Sequence, residues 1–296
     1  MDLEIEIIFG EMQGIIFHTD YAIEYFEYGH GPKIMFAFHG FNNHALDFKK
    51  LGEILAEDYK IIAFNIFFHG ESHAHHNLVE KGFQNEDLKN LFTEMSSKFP
   101  AEKYTLLGYS LGGRIVLKIL EILPEKMEEI ILIAPDGIRI SLFYKFLTQT
   151  LFGKYLLKRV VKNPSLFFIL ADWIKKIGLV SEKKYHFAKG NFDSNSKREK
   201  VYLVWMILRK IVSRKADLRN IIHRFNIPIK LFFGKYDTII PASIGLNFRK
   251  GMEKYISLDV LETGHKMIND KTLLEIAEKF KAKKNDADNS DIVRIF

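Results

Sequence analysis

Short apolar runs alternate with amphipathic helical segments along the first half of this 296-residue chain. The run "KIIAFNIFFHG" has the Ile and Phe content of a buried strand, and "EDLKNLFTEMSSKF" after it repeats apolar residues at helical spacing. The strand-like "KYTLLGY", the helical "LGGRIVLKILEIL" and the strand-like "EEIILIAP" then follow in turn. Strands that alternate with helices predict an α/β fold, in which a mostly parallel central sheet is flanked by helices.

Further strands are predicted at both ends of the chain. The N-terminal ones are "LEIEIIF", "AIEYFEYG" and "KIMFAFHG", which are rich in β-branched and aromatic residues. Strand-like sequence returns at "IPIKLFFGKYD" and "SLDVLETGH", close to the C-terminus. We therefore expect one sheet that is built from both ends of the chain.

The segment between these groups of strands has a different character. Residues 138–220 read as long helices that are rich in lysine and in aromatic residues. They contain 19 Lys or Arg and 5 Asp or Glu, a net charge of +14, whereas the rest of the chain contains 24 and 32, a net charge of −8. We predict a helical insertion over 138–220 in a core formed by 1–137 and 221–296.

Composition excludes several classes of chemistry. The chain has no cysteine, so disulfides, thiol nucleophiles and thiolate metal sites are excluded. The N-terminus "MDLEIEIIFGE" is acidic and alternating, unlike a signal peptide, and charges interrupt every apolar stretch before the ~18 residues of a membrane span. A cytoplasmic protein is expected.

One serine stands between two glycines in "LLGYSLGG", after a predicted strand and before a predicted helix. Gly108 and Gly112 leave room for a sharp turn, and the helix N-terminus supplies free N–H groups and a positive dipole. A Gly-x-Ser-x-Gly pattern in this context predicts that Ser110 is a nucleophile. The alternative is an ordinary serine at the start of a helix.

A serine hydroxyl needs a base to take its proton and a third group to orient that base. Asp237 follows a predicted strand in "LFFGKYDTIIP", and His265 follows the next strand in "LDVLETGHKMIND". Loops at the carboxyl ends of parallel strands share one edge of the sheet, so these side chains can meet Ser110. Asp136 in "IAPDGI" also ends a strand and is the alternative acid, unless it caps a helix.

These motifs resemble the α/β-hydrolase superfamily, in the branch with a helical cap inserted after the sixth strand. The resemblance implies a cofactor-independent serine hydrolase, carboxylesterase-like or lipase-like, that cleaves an ester or related carbonyl bond of a hydrophobic substrate. "FHGFNNHALDF" is similar to the family's oxyanion loop, which implies that the N–H groups of Phe41 and Leu111 bind the oxyanion. "NIFFHGES" departs from the family's turn after the fourth strand, because Asn65 replaces an acid.

Other functions remain open at this stage. The same triad serves C–C bond hydrolases and thioesterases, and the fold also suits a non-catalytic protein that binds a hydrophobic ligand or a partner. No P-loop or GxGxxG motif follows a strand, so no cofactor is predicted. The histidine run "HGESHAHHN" fits no standard ligand spacing, so no metal is predicted.

The apolar and basic character of 138–220 bears on partners. Its aromatic residues predict a small hydrophobic substrate, and its charge favours one that carries an anionic group. The same charge would attract an anionic membrane surface or an acidic carrier protein. Nucleic acid is not expected, because no recognition motif accompanies the charge and the rest of the chain is acidic.

Overall fold

A computed structural model describes residues 7–8, 11–176, 182, 185, 189–190 and 192–292. Its strands are β1 (Ile7–Ile8), β2 (Glu11–Phe17), β3 (Tyr21–Tyr28), β4 (Lys33–Phe38), β5 (Tyr59–Phe64), β6 (His73–Ala74), β7 (Tyr104–Tyr109), β8 (Met127–Ile133), β9 (Ile229–Gly234) and β10 (Ile256–Leu261). Its α-helices are α1 (Lys49–Ile54), α2 (His76–Lys81), α3 (Asn85–Lys98), α4 (Leu111–Ile122), α5 (Leu142–Gln149), α6 (Leu151–Lys162), α7 (Ser165–Lys176), α8 (Asn195–Leu208), α9 (Lys215–Phe225), α10 (Ser243–Arg249) and α11 (Asp270–Ile292).

All the strands of the described residues belong to one sheet, in the order β1-β2-β3-β5-β4-β7-β8-β9-β10, with β6 paired to β3. Strand β2 is antiparallel to its neighbours β1 and β3, and β3 is antiparallel to β5 and β6. The six strands from β5 to β10 in this order are all parallel. This topology confirms the predicted α/β class, and it brings the carboxyl ends of β4, β7, β8, β9 and β10 to one edge.

The sheet has a hydrophobic core on each face. Alternate residues of β4 point to opposite faces, so Phe36 packs in the core on one face, called the first core, and Met35 packs in the second core on the other face. Helices α3, α4 and α9 cover the first core, and α1 and α11 cover the second. Because both faces are covered, the side chains on both faces of the central strands are buried, as at all six residues of β7.

Strand β2 was not predicted by the sequence analysis. Gly14 interrupts its apolar pattern, and it pairs with Tyr25 across the antiparallel ladder to β3. A Cβ atom on Gly14 would lie 2.2 Å from the Tyr25 hydroxyl oxygen, so the absence of a side chain there makes room for the tyrosine ring. The strand predicted over 3–9 lies mostly outside the described residues, which include only Ile7–Ile8 of it.

Helices α5 to α8 lie between β8 and β9 in the chain, within the segment predicted as an insertion. Helix α9 spans the predicted boundary at residue 220, and its Leu218 and Ile222 are buried in the first core. No helix among the described residues has the length and apolarity needed to cross a membrane.

The Phe36 ring should account for much of the stability of the first core. It is fully buried and contacts the rings of Phe64, Phe92 and Tyr104. We expect Phe36→Ala to lower the free energy of unfolding by about 3–5 kcal/mol, because it leaves a cavity. Phe17→Ala, at a ring that is 58% exposed, should change it by less than about 0.5 kcal/mol. Similar urea midpoints for the two variants would contradict this assignment of the core.

Candidate active site

Ser110 occupies a strained turn between β7 and α4. Its backbone has φ 48° and ψ −113°, a conformation that residues with a side chain rarely adopt. Two hydrogen bonds join it to the end of β8 and the loop that follows: the Ser110 N–H donates to the Ile133 carbonyl at 2.9 Å, and the Asp136 N–H donates to the Ser110 carbonyl at 2.8 Å. The ends of β7 and β8 therefore fix the position of the serine.

The glycines around Ser110 are required by close backbone contacts. A Cβ atom on Gly112 would lie 2.0 Å from the Phe38 carbonyl oxygen at the end of β4. A Cβ atom on Gly108 would lie 2.7 Å from the Gly113 Cα. Helix α4 thus starts in direct contact with the strand that precedes the predicted oxyanion loop.

The structure brings the predicted nucleophile, base and acid together. Ser110 Oγ lies 3.1 Å from His265 Nε2, and His265 Nδ1 lies 2.7 Å from Asp237 Oδ2. The Asp237 side chain is fully buried, and its other oxygen accepts the N–H groups of Ile239 and Ile240 at 2.8 and 2.9 Å. With a proton on Nδ1, Nε2 is free to accept the serine proton.

Tyr109, next to the serine, supports the histidine. Its hydroxyl donates to the His265 carbonyl oxygen at 2.7 Å, which ties the loop after β10 to the end of β7. Burial raises the pKa of Tyr109 to about 12, so the hydroxyl keeps its proton and remains a donor. The sequence analysis did not assign a role to Tyr109, although its position directly before Ser110 could have suggested one.

Asp136, the alternative acid, is not brought to His265. Its carboxylate forms an ion pair with Arg114, a buried residue of α4 whose guanidinium lies 4.3 Å from the centre of the Tyr144 ring. Burial alone would lower the pKa of Arg114, but the charges of and hydrogen bonds to Asp136 and Tyr144 together raise it. The pair is a separate feature of the cavity wall.

Phe41 follows β4 and Leu111 begins α4, and both line the same cavity as Ser110. The first N–H groups of a helix have no partner within the helix. Among the described residues, neither the Phe41 nor the Leu111 N–H donates to another protein group. The two donors are therefore available beside the serine, as oxyanion binding requires.

Two buried histidines hold the loop that contains Phe41. His69 Nε2 accepts the Asn42 N–H at 3.1 Å, and His39 Nε2 accepts the Ile66 N–H at 3.1 Å. His39 Nδ1 lies 2.7 Å from the Gly40 carbonyl, so the ring has its proton on Nδ1. Burial lowers the pKa of His39 to about 4 and that of His69 to about 2, so both rings are neutral.

Asn65 takes part in a buried network with Glu24, a residue of β3 that the sequence analysis did not assign. Asn65 Nδ2 donates to Glu24 Oε2 at 2.5 Å, and Asn65 Oδ1 accepts the Ala45 N–H at 2.8 Å. Glu24 Oε2 also accepts the Glu71 N–H at 2.9 Å. The carboxylate that the motif lacks at Asn65 thus comes from a neighbouring strand.

A cavity of about 590 Å³ opens beside Ser110. Its walls are mostly apolar, and their charged residues are Arg114, Asp136 and Arg139. More than half of the residues that line the cavity come from 138–220: Arg139, Ser141, Phe143, Tyr144, Leu147, Leu156, Leu157, Val160, Phe167, Phe192, Val201 and Trp205. In the described part of the chain, no cluster of His, Asp or Glu side chains could hold a metal ion.

The neutral histidines make stability depend on pH. The unfolded chain binds protons at His39 and His69 near the ordinary pKa of 6.5, whereas the folded rings bind them only near pH 4 and pH 2. Lowering the pH from about 7 to about 5 should therefore reduce the free energy of unfolding by about 2 kcal/mol for each ring. Urea unfolding at the two pH values measures this loss.

His69→Gln is the matched variant for this measurement. Its amide oxygen can still accept the Asn42 N–H, but the side chain does not titrate. We expect this variant to lose less stability between the two pH values than the native protein. A native protein that is equally stable at both would contradict the neutral state of the rings.

Comparison with known proteins supports the fold. A family model described as alpha/beta hydrolase fold matches residues 33–168. "Uncharacterized hydrolase YugF" of Bacillus subtilis (strain 168) is 23% identical over 254 residues, which cover 84% of this chain and 90% of that protein.

Solved structures agree with this result. An esterase from Thermogutta terrifontis has a TM-score of 0.64 and 15% identity, and the match covers 91% of this chain and 98% of that one. Serine hydrolase CCSP0084 from Cycloclasticus zankles has a TM-score of 0.62 and 19% identity, with 93% and 99% covered. The family match, the sheet order and the turn at Ser110 agree, and the chain is a hydrolase with the α/β-hydrolase fold.

Proposed function

We propose that the protein is a cofactor-independent serine esterase, carboxylesterase-like or lipase-like, that cleaves esters with a hydrophobic acyl group. The observation that carries this proposal is the hydrogen-bonded chain from Asp237 through His265 to Ser110, which ends on the wall of an apolar cavity. The names of the Thermogutta esterase and the Cycloclasticus serine hydrolase are consistent with it.

Acylation begins when Ser110 Oγ attacks the carbonyl carbon of the ester. His265 Nε2, at 3.1 Å, takes the serine proton as the new C–O bond forms. Asp237 stabilises the resulting imidazolium through its 2.7 Å contact with Nδ1, and the N–H groups of Ile239 and Ile240 keep that carboxylate in place. His265 then gives the proton to the departing alcohol oxygen, and an acyl-serine remains.

The N–H groups of Phe41 and Leu111 bind the oxyanion of the tetrahedral intermediate. They are fixed before the reaction, Leu111 by the start of α4 and Phe41 by the loop that the neutral His69 supports at Asn42. Each preorganised donor of this kind is worth about 3 kcal/mol of barrier.

Deacylation repeats these steps with water. His265 takes a proton from a water molecule, whose oxygen attacks the acyl carbon, and the same two donors bind the second oxyanion. Collapse of this intermediate breaks the bond to Ser110 Oγ, which receives the proton from His265. The products are a carboxylic acid and the regenerated serine.

The cavity sets the substrate class of this proposal. Its volume lies in the ordinary range for small-molecule sites, and its apolar walls suit an acyl chain. We assign helices α5 to α8 of the predicted insertion as a cap over this cavity, because α5, α6 and α8 contribute much of its lining, whereas α9 packs on the first core.

The first test is hydrolysis of p-nitrophenyl esters of increasing acyl length, together with labelling by a fluorophosphonate. We expect turnover and labelling of the native protein, and Ser110→Ala should lower kcat by about a millionfold and abolish labelling. Matched thioester and C–C substrates distinguish the other reactions of the same triad. A folded native protein that neither labels nor turns over any of these substrates would contradict the serine mechanism.

The identity of the acid is tested by two matched substitutions. Asp237→Asn should lower kcat by about ten-thousandfold, because an amide cannot hold His265 in its reactive tautomer. Asp136→Asn should instead lower the free energy of unfolding by about 3 kcal/mol, because it leaves Arg114 buried without its partner. The kcat of Asp136→Asn, measured under conditions where this variant is folded, should fall far less than that of Asp237→Asn. The reverse pattern would make Asp136 the acid.

A further inference from the structure

Helices α5 and α6 expose much apolar surface to solvent. Leu151 is 86% exposed and Leu142 is 82% exposed. We call the following set of exposed residues the apolar face: Leu142, Phe143, Phe146, Leu151, Phe152, Tyr155 and Leu156. Large contiguous apolar patches are rare on monomeric soluble proteins and mark interaction sites.

The apolar face is one continuous surface. Its residues recur at i, i+1 and i+4 in both helices, which places them on one side of each helix. The opposite sides are packed inward, with Tyr144 and Leu147 of α5 and Leu157 of α6 buried. The rings of Phe146 and Phe152 join the two helices, with their centres 6.2 Å apart.

Positive charge surrounds this face. Residues 138–171 contain six Lys or Arg and no Asp or Glu. Lys158, Arg159 and Lys162 are exposed on the last turns of α6, beyond its apolar residues. In the part of the chain that the structure describes, none of these three forms an ion pair with a carboxylate. Their charge is therefore available to an anionic partner.

We propose that the apolar face and the cations beside it dock the protein on an anionic lipid bilayer. Exposed Leu, Phe and Tyr next to unpaired Lys and Arg is the composition of helices that lie in a membrane interface. The rings would enter the boundary between headgroups and acyl chains, while the cations meet lipid phosphates. An acidic protein would satisfy the cations but would not require this apolar surface.

The apolar face also reaches the cavity. Phe143 and Leu156 belong both to this face and to the cavity wall. A lipid-soluble ester held in the bilayer would thus enter beside α5 and α6. This route rests on the proposed esterase function, but the docking itself does not depend on Ser110.

Binding to vesicles tests the docking. Sedimentation of the full chain with phosphatidylcholine vesicles, with and without phosphatidylglycerol, should show binding that needs the anionic lipid and weakens at high ionic strength. The double variant Lys158→Glu/Arg159→Glu should lower the partition coefficient by about tenfold or more, and so should Leu151→Ser/Phe152→Ser. None of these residues lines the cavity.

Matched variants control for net charge and for exposed apolar area. Lys89→Glu/Lys126→Glu makes the same change of charge on exposed residues outside α5 and α6, and Leu246→Ser/Leu274→Ser removes exposed leucines elsewhere. Both controls should bind vesicles as the native protein does. Equal losses in a control and its test variant would overturn the proposal, because docking would then not be specific to this face.

The remaining outcomes separate docking from catalysis. Ser110→Ala should bind vesicles like the native protein, while hydrolysis of a water-soluble ester without vesicles tests the esterase proposal by itself. Esterase activity without vesicle binding would overturn the docking and leave the esterase proposal intact. Binding to polyglutamate but not to anionic vesicles would identify an acidic protein as the partner and would also overturn the docking proposal.

Discussion

The turn at Ser110 is the constraint on which the geometry of the site depends. It is held in a strained backbone conformation by hydrogen bonds to Ile133 and Asp136, and it starts α4 against the carbonyl of Phe38. Three adjacent strands and one helix therefore meet within a few residues. Strain of this kind persists only where the surroundings over-determine the backbone, and the two covered faces of the sheet supply that rigidity.

The sequence was sufficient to predict that Ser110, Asp237 and His265 lie close together, because of a general property of parallel sheets. Each residue follows a strand whose apolar run is easy to identify, and the carboxyl ends of parallel strands lie at one edge. The same property made Asp136 an alternative to Asp237, since β8 and β9 are neighbours. The structure separates them through Arg114 of α4, whose ion pair with Asp136 could not be read from sequence spacing.

Features that depend on contacts between distant segments were not predicted. Glu24 lies in a strand whose alternation suggests one solvent-facing side, yet it is buried against Asn65. Strand β2 contains Gly14, which breaks its apolar pattern but makes room for Tyr25 on the neighbouring strand. In both cases the residue type is explained by a partner elsewhere in the chain, which local propensity does not contain.

The positive charge of residues 138–220 and the proposed triad lie in different parts of the molecule. Of the basic residues in 138–220, Arg139 is the one that lines the cavity within the described part of the chain. Arg114, a buried cation of the cavity wall, is already balanced by Asp136. Most of the +14 charge therefore lies outside the reacting centre, where water and salt screen it over about 10 Å. Under the proposed mechanism, this charge affects how the protein meets a membrane or a substrate, and the rate of the bond-breaking step depends on Ser110, His265, Asp237 and the two N–H donors.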